Sequence, residues 1–447
     1  MRKILLVVLT ILLVSIDLFA GGSNQGSAST SAVPDAQGIY SSGPRVSMRF
    51  ASTSLEDRAG DVVKDRLNEF LRQNPNVTLS IEDYPGNDLI PAINTAVMAN
   101  NLPDVFLFWR PESGWNVPAY VEKGVLANLT ALIKSPAFEG VFPEFALATA
   151  SQIGGVFYCI PRLSYFDEFL VNKAIFEKFN IPLPTTWENL MNAVPALKRN
   201  GVIPWQNTTY TLLDGSSRLL FNILNRQIGN QKALALFSGT AHWTDSDVLT
   251  GLRYFVTLAA NNGPPDQNVL NQNQSISKYF STGASAMLLE NNGGNVNIDQ
   301  AIMKDMVAMP LPIIPGGVEK EPSTQKDVTN LVYASAKEYA NPSKKDYIDR
   351  MIIMLANRDA AKAYVEQANQ LAPHLGLDIN PASILPLNLQ AMQVAEVQPG
   401  RKWLLSYVSA EFRSVFRDAC NEIWYGNMNA EQFSAAMEAA FYGKVQQ

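Results

Sequence analysis

Histidine and cysteine are nearly absent from this 447-residue sequence, which contains two of each. This scarcity argues against a zinc site and against a histidine-based catalytic triad. The acidic residues form no catalytic pair by their spacing, so we expect no catalytic residues, no metal and no cofactor. Cys159 and Cys420 lie far apart in the sequence, which leaves open both a disulfide and two buried free thiols.

An excess of basic residues is also missing. The chain has 35 Lys and Arg against 41 Asp and Glu, which gives a formal net charge of −6. Proteins that bind nucleic acid need basic stripes, so we expect no nucleic-acid partner. Hydrophobic residues make up 47% and charged residues 17%, as is typical of a folded globular protein. The length exceeds what one core usually supports and predicts two domains.

Long hydrophobic runs are confined to the N-terminus. Arg2 and Lys3 precede an apolar stretch and small residues follow it, which predicts a signal peptide over residues 1–20. Asp17 leaves the apolar stretch short for a membrane span, and the alternative is an uncleaved anchor. We therefore expect an exported protein, either periplasmic or held at the outer face of the inner membrane.

The residues after the predicted signal peptide suggest how the mature chain begins. No cysteine lies near the cleavage site, so attachment of a lipid to an N-terminal cysteine is not available. Residues 21–44 are rich in Gly, Ser, Ala and Gln, a composition that cannot bury a core. This stretch predicts a flexible tail, with the folded part beginning near Arg45.

The first folded segment alternates strands and helices. Residues 45–52 and 77–81 alternate apolar and polar positions, and residues 104–109 form a short apolar run typical of a buried parallel strand. Helical patterns separate these three strands, and β-α-β-α-β alternation favours a parallel sheet with helices on both faces. Ligands of such sheets bind at the carboxyl ends of the strands. The loops at these ends are 52–54, 84–88 and 109–115.

The remainder continues as a mixture of strands and helices. Further strands are predicted at 156–160, 169–171, 284–289, 306–310 and 330–336. The chain is mainly helical after residue 341, with helix-start chemistry at 357–360 and 427–432. The sequence therefore predicts an α/β fold with a helical C-terminal part.

Several short motifs recur in an order that resembles a known family. They are 74–77 (NPNV), 101–106 (NLPDVF), 120–126 (YVEKGVL), 171–173 (VNK), 186–190 (TWENL), 283–287 (GASAM) and 309–312 (MPLP). Each motif is weak alone, but their order and spacing over residues 45–440 are specific. The sequence resembles the extracellular solute-binding proteins of ABC importers, in the cluster that includes maltose- and oligosaccharide-binding proteins.

The resemblance implies a periplasmic-binding-protein fold. Two lobes, each with a mostly parallel central sheet flanked by helices, are joined by a multi-strand hinge. By analogy the chain crosses between the lobes near 158–161, near 330–333 and after 370–376. Lobe 1 is then 45–160 plus about 331–376, and lobe 2 is 161–330 plus about 377–447. The resemblance implies a monomer that traps a small solute between the lobes and delivers it to the permease subunits of an ABC importer.

A sugar site needs aromatic faces beside amide, carboxylate and guanidinium groups. In lobe 1 these types follow two predicted strands, although turn chemistry or a surface ion pair would explain them as well. The lobe 1 candidates are Tyr84, Asp88, Trp109, Arg110 and Glu112. Trp115 is a weaker candidate.

Lobe 2 offers polar and aromatic residues at places where the family presents ligand contacts. Many relatives have a stacking tryptophan soon after Met287, where this chain has Asn and Gly. This departure weakens the case for an oligosaccharide and favours a smaller or more polar solute. The lobe 2 candidates are Tyr165, Asp167, Trp205, Gln206, Asn207, Glu290, Asn291 and Phe412.

Two other functions fit an exported two-lobed protein. A carbohydrate-active enzyme would need paired carboxylates, for which the sequence has no diagnostic motif. A surface receptor or adhesin could reuse the fold without transport. The sequence favours a solute-binding protein that serves an importer, with a sugar as the favoured ligand.

Overall fold

The structure is a computed structural model, which describes residues 33–53, 55, 58–84, 88–110, 116–151, 153–210, 215–292, 298–401, 404 and 410–444. Its strands are β1 (Val46–Ser52), β2 (Val77–Asp83), β3 (Val105–Phe108), β4 (Cys159–Asn172), β5 (Ile203–Gln206), β6 (Ser285–Asn291), β7 (Met306–Met309), β8 (Thr324–Ala334) and β9 (Gly400–Arg401). The predicted signal peptide, Glu112 and Trp115 lie outside the described residues.

Helices surround these strands. They are α1 (Arg58–Gln73), α2 (Leu89–Met98), α3 (Val117–Glu122), α4 (Thr130–Ile133), α5 (Glu144–Ala150), α6 (Lys173–Lys178), α7 (Trp187–Arg199), α8 (Arg218–Phe237), α9 (Ser246–Ala259), α10 (Gln272–Ser275), α11 (Gln300–Met303), α12 (Ala336–Tyr339), α13 (Lys345–Ala356), α14 (Arg358–Ala368), α15 (Pro386–Glu396), α16 (Ala410–Trp424) and α17 (Ala430–Phe441). A π-helical turn, Ile276–Phe280, continues α10, and a 3₁₀ turn, Pro381–Ser383, precedes α15.

Lobe 1 is built on the predicted parallel strands. Strand β1 pairs in parallel with both β2 and β3, and β3 pairs antiparallel with β8. Every side chain of β3 is buried, as expected for a strand covered on both faces. Helices α1, α13 and α14 supply buried apolar residues to the same core, among them Phe70, Ile352 and Tyr364.

Two long strands connect the lobes. Residues 156–160 and 169–171 were predicted as parts of two strands, but β4 runs unbroken from Cys159 to Asn172 through Pro161. Its first half pairs with β8 and its second half pairs with β6 and β7. Leu163 belongs to the lobe 1 core and Phe166 to a core of lobe 2, so the chain crosses between these two residues.

Lobe 2 has a mixed sheet rather than the mostly parallel one expected. Strands β5 and β6 are parallel, whereas β4 runs antiparallel to both β6 and β7. Antiparallel pairing needs no crossover connection between neighbouring strands, so the hinge strand β4 can join this sheet directly from lobe 1. Helices α8, α9, α16 and α17 cover one face of this sheet.

Helix ends follow the predicted chemistry in several places. The side chains of Thr186, Asn357 and Asn429 each accept a hydrogen bond from a backbone N–H of the following helix. Gly124, two residues beyond α3, has φ of 67°, a conformation that favours glycine. Gly229 interrupts α8 with φ of 79°, which divides it into two helical stretches.

The end of the predicted flexible tail contacts lobe 1. The backbone N–H of Tyr40 donates to the Gln73 carbonyl at 2.7 Å, and Asn76 Nδ2 donates to the Ser41 carbonyl at 2.8 Å. The Tyr347 hydroxyl donates to the Pro44 carbonyl at 2.8 Å.

Among the described residues, no helix is both long and apolar enough to span a membrane.

Candidate functional site

The carboxyl ends of the strands meet the hinge between the lobes. Strands β1, β2 and β3 are parallel and end at the same edge of lobe 1, and β5 and β6 end at one edge of lobe 2. On the hinge, Tyr165 of β4 stands opposite Asp327 of β8, so both side chains lie on the same face. Asp167 lies two residues further along that face. Polar groups from both lobes therefore converge here.

Arg110 connects lobe 1 to the two hinge strands. It follows β3, and its Nη1 donates to the Tyr165 hydroxyl at 2.6 Å and to Asp327 Oδ2 at 3.3 Å. Its guanidinium carbon also lies 5.3 Å from the centre of the Tyr165 ring. Arg110 and Asp327 are both buried, so the ion pair is shielded from water.

The partners of Arg110 are themselves held by further hydrogen bonds. Asp327 Oδ1 accepts a hydrogen bond from Thr149 Oγ1 of α5 at 2.7 Å. The Tyr165 hydroxyl accepts another from Gln325 Nε2 at 2.7 Å. A continuous network of hydrogen bonds thus connects the hinge strands to lobe 1.

A second cluster lies at the lobe 2 end of the hinge. Arg218, the first residue of α8, binds Asp167 Oδ1 through Nη1 and Glu290 Oε1 through Nη2, the latter at 3.0 Å. All three side chains are less than a tenth exposed. Burial raises the pKa of Asp167, while the positive charges of Arg218 and Arg401 oppose that rise. The Arg218 guanidinium is therefore the shared ion-pair partner of the Asp167 and Glu290 carboxylates.

Glu290 has donors on both of its oxygens. Gln272 Nε2 donates to Oε2, and the Asn291 backbone N–H and Nδ2 donate to Oε1 at 2.8 and 2.7 Å. Together with Arg218, these groups fix the carboxylate in place. Glu290 in turn holds the side chains of Arg218, Gln272 and Asn291 in place.

Sequence reasoning missed a buried arginine pair beneath this cluster. Arg226 of α8 and Arg401 of β9 both donate to Asn222 Oδ1, at 3.1 and 2.8 Å, and to the Ser323 carbonyl, at 3.2 and 2.8 Å. Burial lowers the pKa of Arg226 to about 9, with the neighbouring charge of Arg401 acting in the same direction. Glu319 lies 3.7 Å from Arg226 and partly balances the charge. No sequence motif marks this pair, because its members lie far apart in the chain.

The remaining lobe 1 candidates differ in their burial and contacts. Trp109 is half-buried, with its ring edge-on to Phe108 at 5.1 Å, and its carbonyl accepts a hydrogen bond from Tyr333. The Tyr84 hydroxyl donates to Glu82 Oε2 at 3.0 Å. Asp88 is exposed just before α2, and its side chain makes no capping hydrogen bond to that helix.

Two aromatic candidates, Trp205 and Phe412, pack in or against the apolar core of lobe 2. Trp205 is 1% exposed, and its ring centre lies 5.8 Å from that of Phe169. Alternation along β5 turns Trp205 inward, opposite in direction to Gln206. Phe412 packs against Phe441, with ring centres 5.4 Å apart.

The amide candidates differ in how their side chains are bonded. Asn207 is buried, and its Nδ2 donates to Gln267 Oε1 at 2.9 Å. Gln206 is 4% exposed, and both of its amide atoms lack a hydrogen-bond partner among the described residues. Asn291 is half-buried and bonded to Glu290.

The two cysteines are free and buried, Cys159 in the core of lobe 1 and Cys420 in that of lobe 2.

Comparison with known proteins identifies relatives of this chain. A model of the family described as bacterial extracellular solute-binding protein matches residues 54–366. An ABC transporter extracellular-binding protein of Pyrococcus horikoshii is 23% identical over 193 residues, which cover 42% of this chain and 43% of the relative. A probable sugar-binding periplasmic protein of Rhizobium meliloti is 24% identical over 217 residues, 47% of each chain. Each alignment thus spans less than half the length of the curated relative.

Solved structures share the fold over most of the chain. A protein from work on xylan utilization by Caldanaerobius polysaccharolyticus superimposes with a TM-score of 0.76 at 20% identity, covering 88% of this chain and 99% of that one. A chitin oligosaccharide binding protein gives a TM-score of 0.75 at 20% identity, covering 88% and 97%. At this level of identity the likeness establishes the two-lobed fold alone.

Proposed function

Because the chain belongs to the bacterial extracellular solute-binding protein family, we propose that it captures a small neutral solute, a sugar or oligosaccharide, for an ABC importer. The solute would be bound between the lobes and delivered to the permease subunits in the membrane. Binding proteins of this family are not enzymes, and we propose that this chain has no catalytic activity. We further propose that it acts as an exported monomer in the periplasm.

The observation that supports a neutral ligand is that two arginines near the hinge are each paired with buried carboxylates. Arg110 is paired with Asp327, and Arg218 is paired with both Asp167 and Glu290. An amino acid or a sugar acid carries charges that would each need an oppositely charged partner in the site. A buried charge without such a partner is strongly unfavourable. A polyhydroxylated neutral solute requires only donors and acceptors.

The relatives support the same class of ligand. The Rhizobium relative is described as sugar-binding, and among the similar structures are a maltose-bound protein and one in complex with raffinose. Tyr210, which is 56% exposed four residues after Gln206, offers an aromatic face of the kind that sugar rings stack on. Such contacts favour a sugar over other neutral solutes.

Capture would follow from rotation about the hinge strands. Lobe closure would bring the carboxyl ends of the lobe 1 strands against those of lobe 2 and exclude water from the ligand. The ligand would stabilise the closed form because only that form provides contacts from both lobes. The permease subunits would then distinguish loaded from empty protein by its shape.

Calorimetric titration of the full chain, purified after export from a bacterial host, tests this proposal. The panel contains galactose, maltose, raffinose, chitin oligosaccharides and xylo-oligosaccharides, with glutamate, arginine and glucuronate as charged controls. We expect saturable binding of at least one neutral sugar, and a smaller radius of gyration by X-ray scattering in its presence. Binding of only charged solutes, or of no solute, would overturn the proposal, and release of product from a sugar would show an enzyme instead.

A further inference from the structure

The last residue of β5 has a buried side chain whose bonding differs from that of the three residues after it. Asn207, Thr208 and Thr209 are each buried and each bonded through their side chains: to Gln267 Oε1, to the Leu270 carbonyl and to the Tyr425 hydroxyl. Gln206 is equally buried, yet neither its Nε2 nor its Oε1 has a partner among the described residues. A buried primary amide without hydrogen bonds is unfavourable, so native proteins rarely keep one without a use for it.

The sheet register places this amide beside the Glu290 cluster. Gln206 is in register with Leu288 of the parallel strand β6, so the two side chains lie on one face of the sheet. Glu290 follows Leu288 by two residues and shares that face. Gln206 is also the last residue of β5, at the carboxyl end of that strand.

A second unpartnered amide oxygen lies over the same face. Gln272 opens α10, and its Nε2 is held by Glu290, while its Oε1 is buried without a hydrogen-bond partner. The helix then continues into the π-helical turn Ile276–Phe280, a feature often found at functional sites. Glu290 therefore fixes Gln272 in an orientation that leaves its oxygen available as an acceptor.

We propose that Gln206 and Gln272 form a subsite for adjacent hydroxyl groups of a neutral solute. Gln206 supplies one donor and one acceptor, and Gln272 supplies a second acceptor. A hydroxyl both donates and accepts, so two neighbouring hydroxyls match this set. Glu290 is a positioning residue, because its oxygens are occupied by Arg218, Gln272 and Asn291. This inference rests on the proposed function and adds the side chains that select the solute.

Substitution of Gln206 by an apolar residue of similar shape should weaken binding without lowering stability. Gln206→Met removes an unpartnered amide, so the melting temperature of the free protein should stay the same or rise. The same change should raise the Kd for the sugar found in the panel about 10- to 100-fold, since solute hydroxyls lose their partners on binding. Function and stability would thus move in opposite directions.

Asn207→Leu is the matched control, because the amide lost there is bonded to Gln267. Its melting temperature in the free protein should fall by about a few degrees, since Gln267 Oε1 is left without its donor. If Gln206→Met lowers the melting temperature as much as Asn207→Leu, the Gln206 amide is bonded in the free protein and the inference is wrong. This comparison needs no ligand.

Deoxy analogues of the bound sugar identify the hydroxyls involved. Removal of a hydroxyl that contacts Gln206 should weaken binding to the wild type but not to Gln206→Met, whereas other deoxy analogues should weaken both equally. If the wild type binds a sugar and Gln206→Met binds it as tightly, the subsite is wrong although the proposed function stands. If the wild type binds no solute, the proposed function itself fails.

Discussion

Arg110 and Asp327 form a buried ion pair, with 3.3 Å between Nη1 and Oδ2, across 217 positions of the sequence. Arg110 follows a strand of lobe 1, whereas Asp327 lies on the hinge strand β8 where the chain crosses from lobe 2. The pair therefore joins lobe 1 to the hinge strand that would bend during the proposed closure. Its loss should affect stability more than a surface pair would.

Arg110→Met should lower the free energy of unfolding by about 3 kcal/mol, because it leaves the buried Asp327 carboxylate without a counter-charge. Urea denaturation followed by circular dichroism measures the change. Arg253→Met is the control, since Arg253 pairs with Glu431 at the surface, where both side chains are more than half exposed. A similar small effect of both substitutions would contradict the structural role of Arg110.

Arg218→Met should produce a stability defect that depends on pH. Burial raises the pKa of Asp167 and Arg218 opposes that rise, so its removal raises the pKa further. The folded variant then binds a proton more tightly than the unfolded chain, and its stability increases as pH falls through the raised pKa. The difference in melting temperature from the wild type should be largest near neutral pH and narrow on acidification.

The Asp167→Asn/Arg218→Met double variant checks which carboxylate is responsible. Because asparagine does not titrate, the pH dependence of the defect should be smaller in this protein than in the single variant. An unchanged pH dependence would assign the effect to another group.

His374 should make the protein sensitive to mild acid. Its Nε2 donates to the Ala356 carbonyl at 2.7 Å, its Nδ1 is buried without a partner, and burial lowers its pKa to about 4. The unfolded chain takes up a proton near pH 6.5 and the folded chain near pH 4, so stability is lost as pH falls between these values. The full loss is about 3 kcal/mol.

His374→Gln tests this assignment by urea denaturation at about pH 7 and pH 5. Glutamine can keep a donor near the Ala356 carbonyl but cannot be protonated, so the variant should lose less stability at the lower pH than the wild type. An equal loss in both proteins would show that other groups govern acid sensitivity.

The two cysteines should be unreactive in the native protein. Burial raises the pKa of Cys159 to about 12 and that of Cys420 well above its usual value, so neither forms the reactive thiolate. Ellman's reagent should detect no thiol in the folded chain and two thiols in denaturant. Fewer than two in denaturant without reductant would indicate a disulfide and contradict the structure.

Local patterns in the sequence predicted most of lobe 1 and the helix ends. Apolar alternation identified β1 and β2, and a continuous apolar run identified β3, because burial imposes these patterns on neighbouring residues. Asn357 and Asn429 were recognisable as helix starts because a cap acts over three or four residues. The long hinge strand β4 was missed because Pro161 indicates a break, whereas its pairing with β8 keeps the strand continuous.

The candidate site was only partly predictable for a related reason. Predicted strand ends pointed to Arg110 and Gln206, and the family resemblance pointed to Tyr165 and Asp167, and as ligand contacts all four remain predictions. Strand ends could not show that Trp205, one residue before Gln206, points into the core, since the face of a short strand is decided by the sheet that covers it. Arg218, Gln272 and Arg401 were not predicted at all, because their partners are brought close only by the fold.

The sequence by itself determined the fold class, the two-lobed family and the polar character of the strand ends. These properties depend on residue type and on spacing along a few turns or strands, which the chain carries locally. The tertiary structure alone decided which charges pair, which aromatic side chains are core, and which amides stay without partners. Such contacts join residues separated by tens to hundreds of positions, as Arg110 and Asp327 are, and packing rather than local pattern selects them.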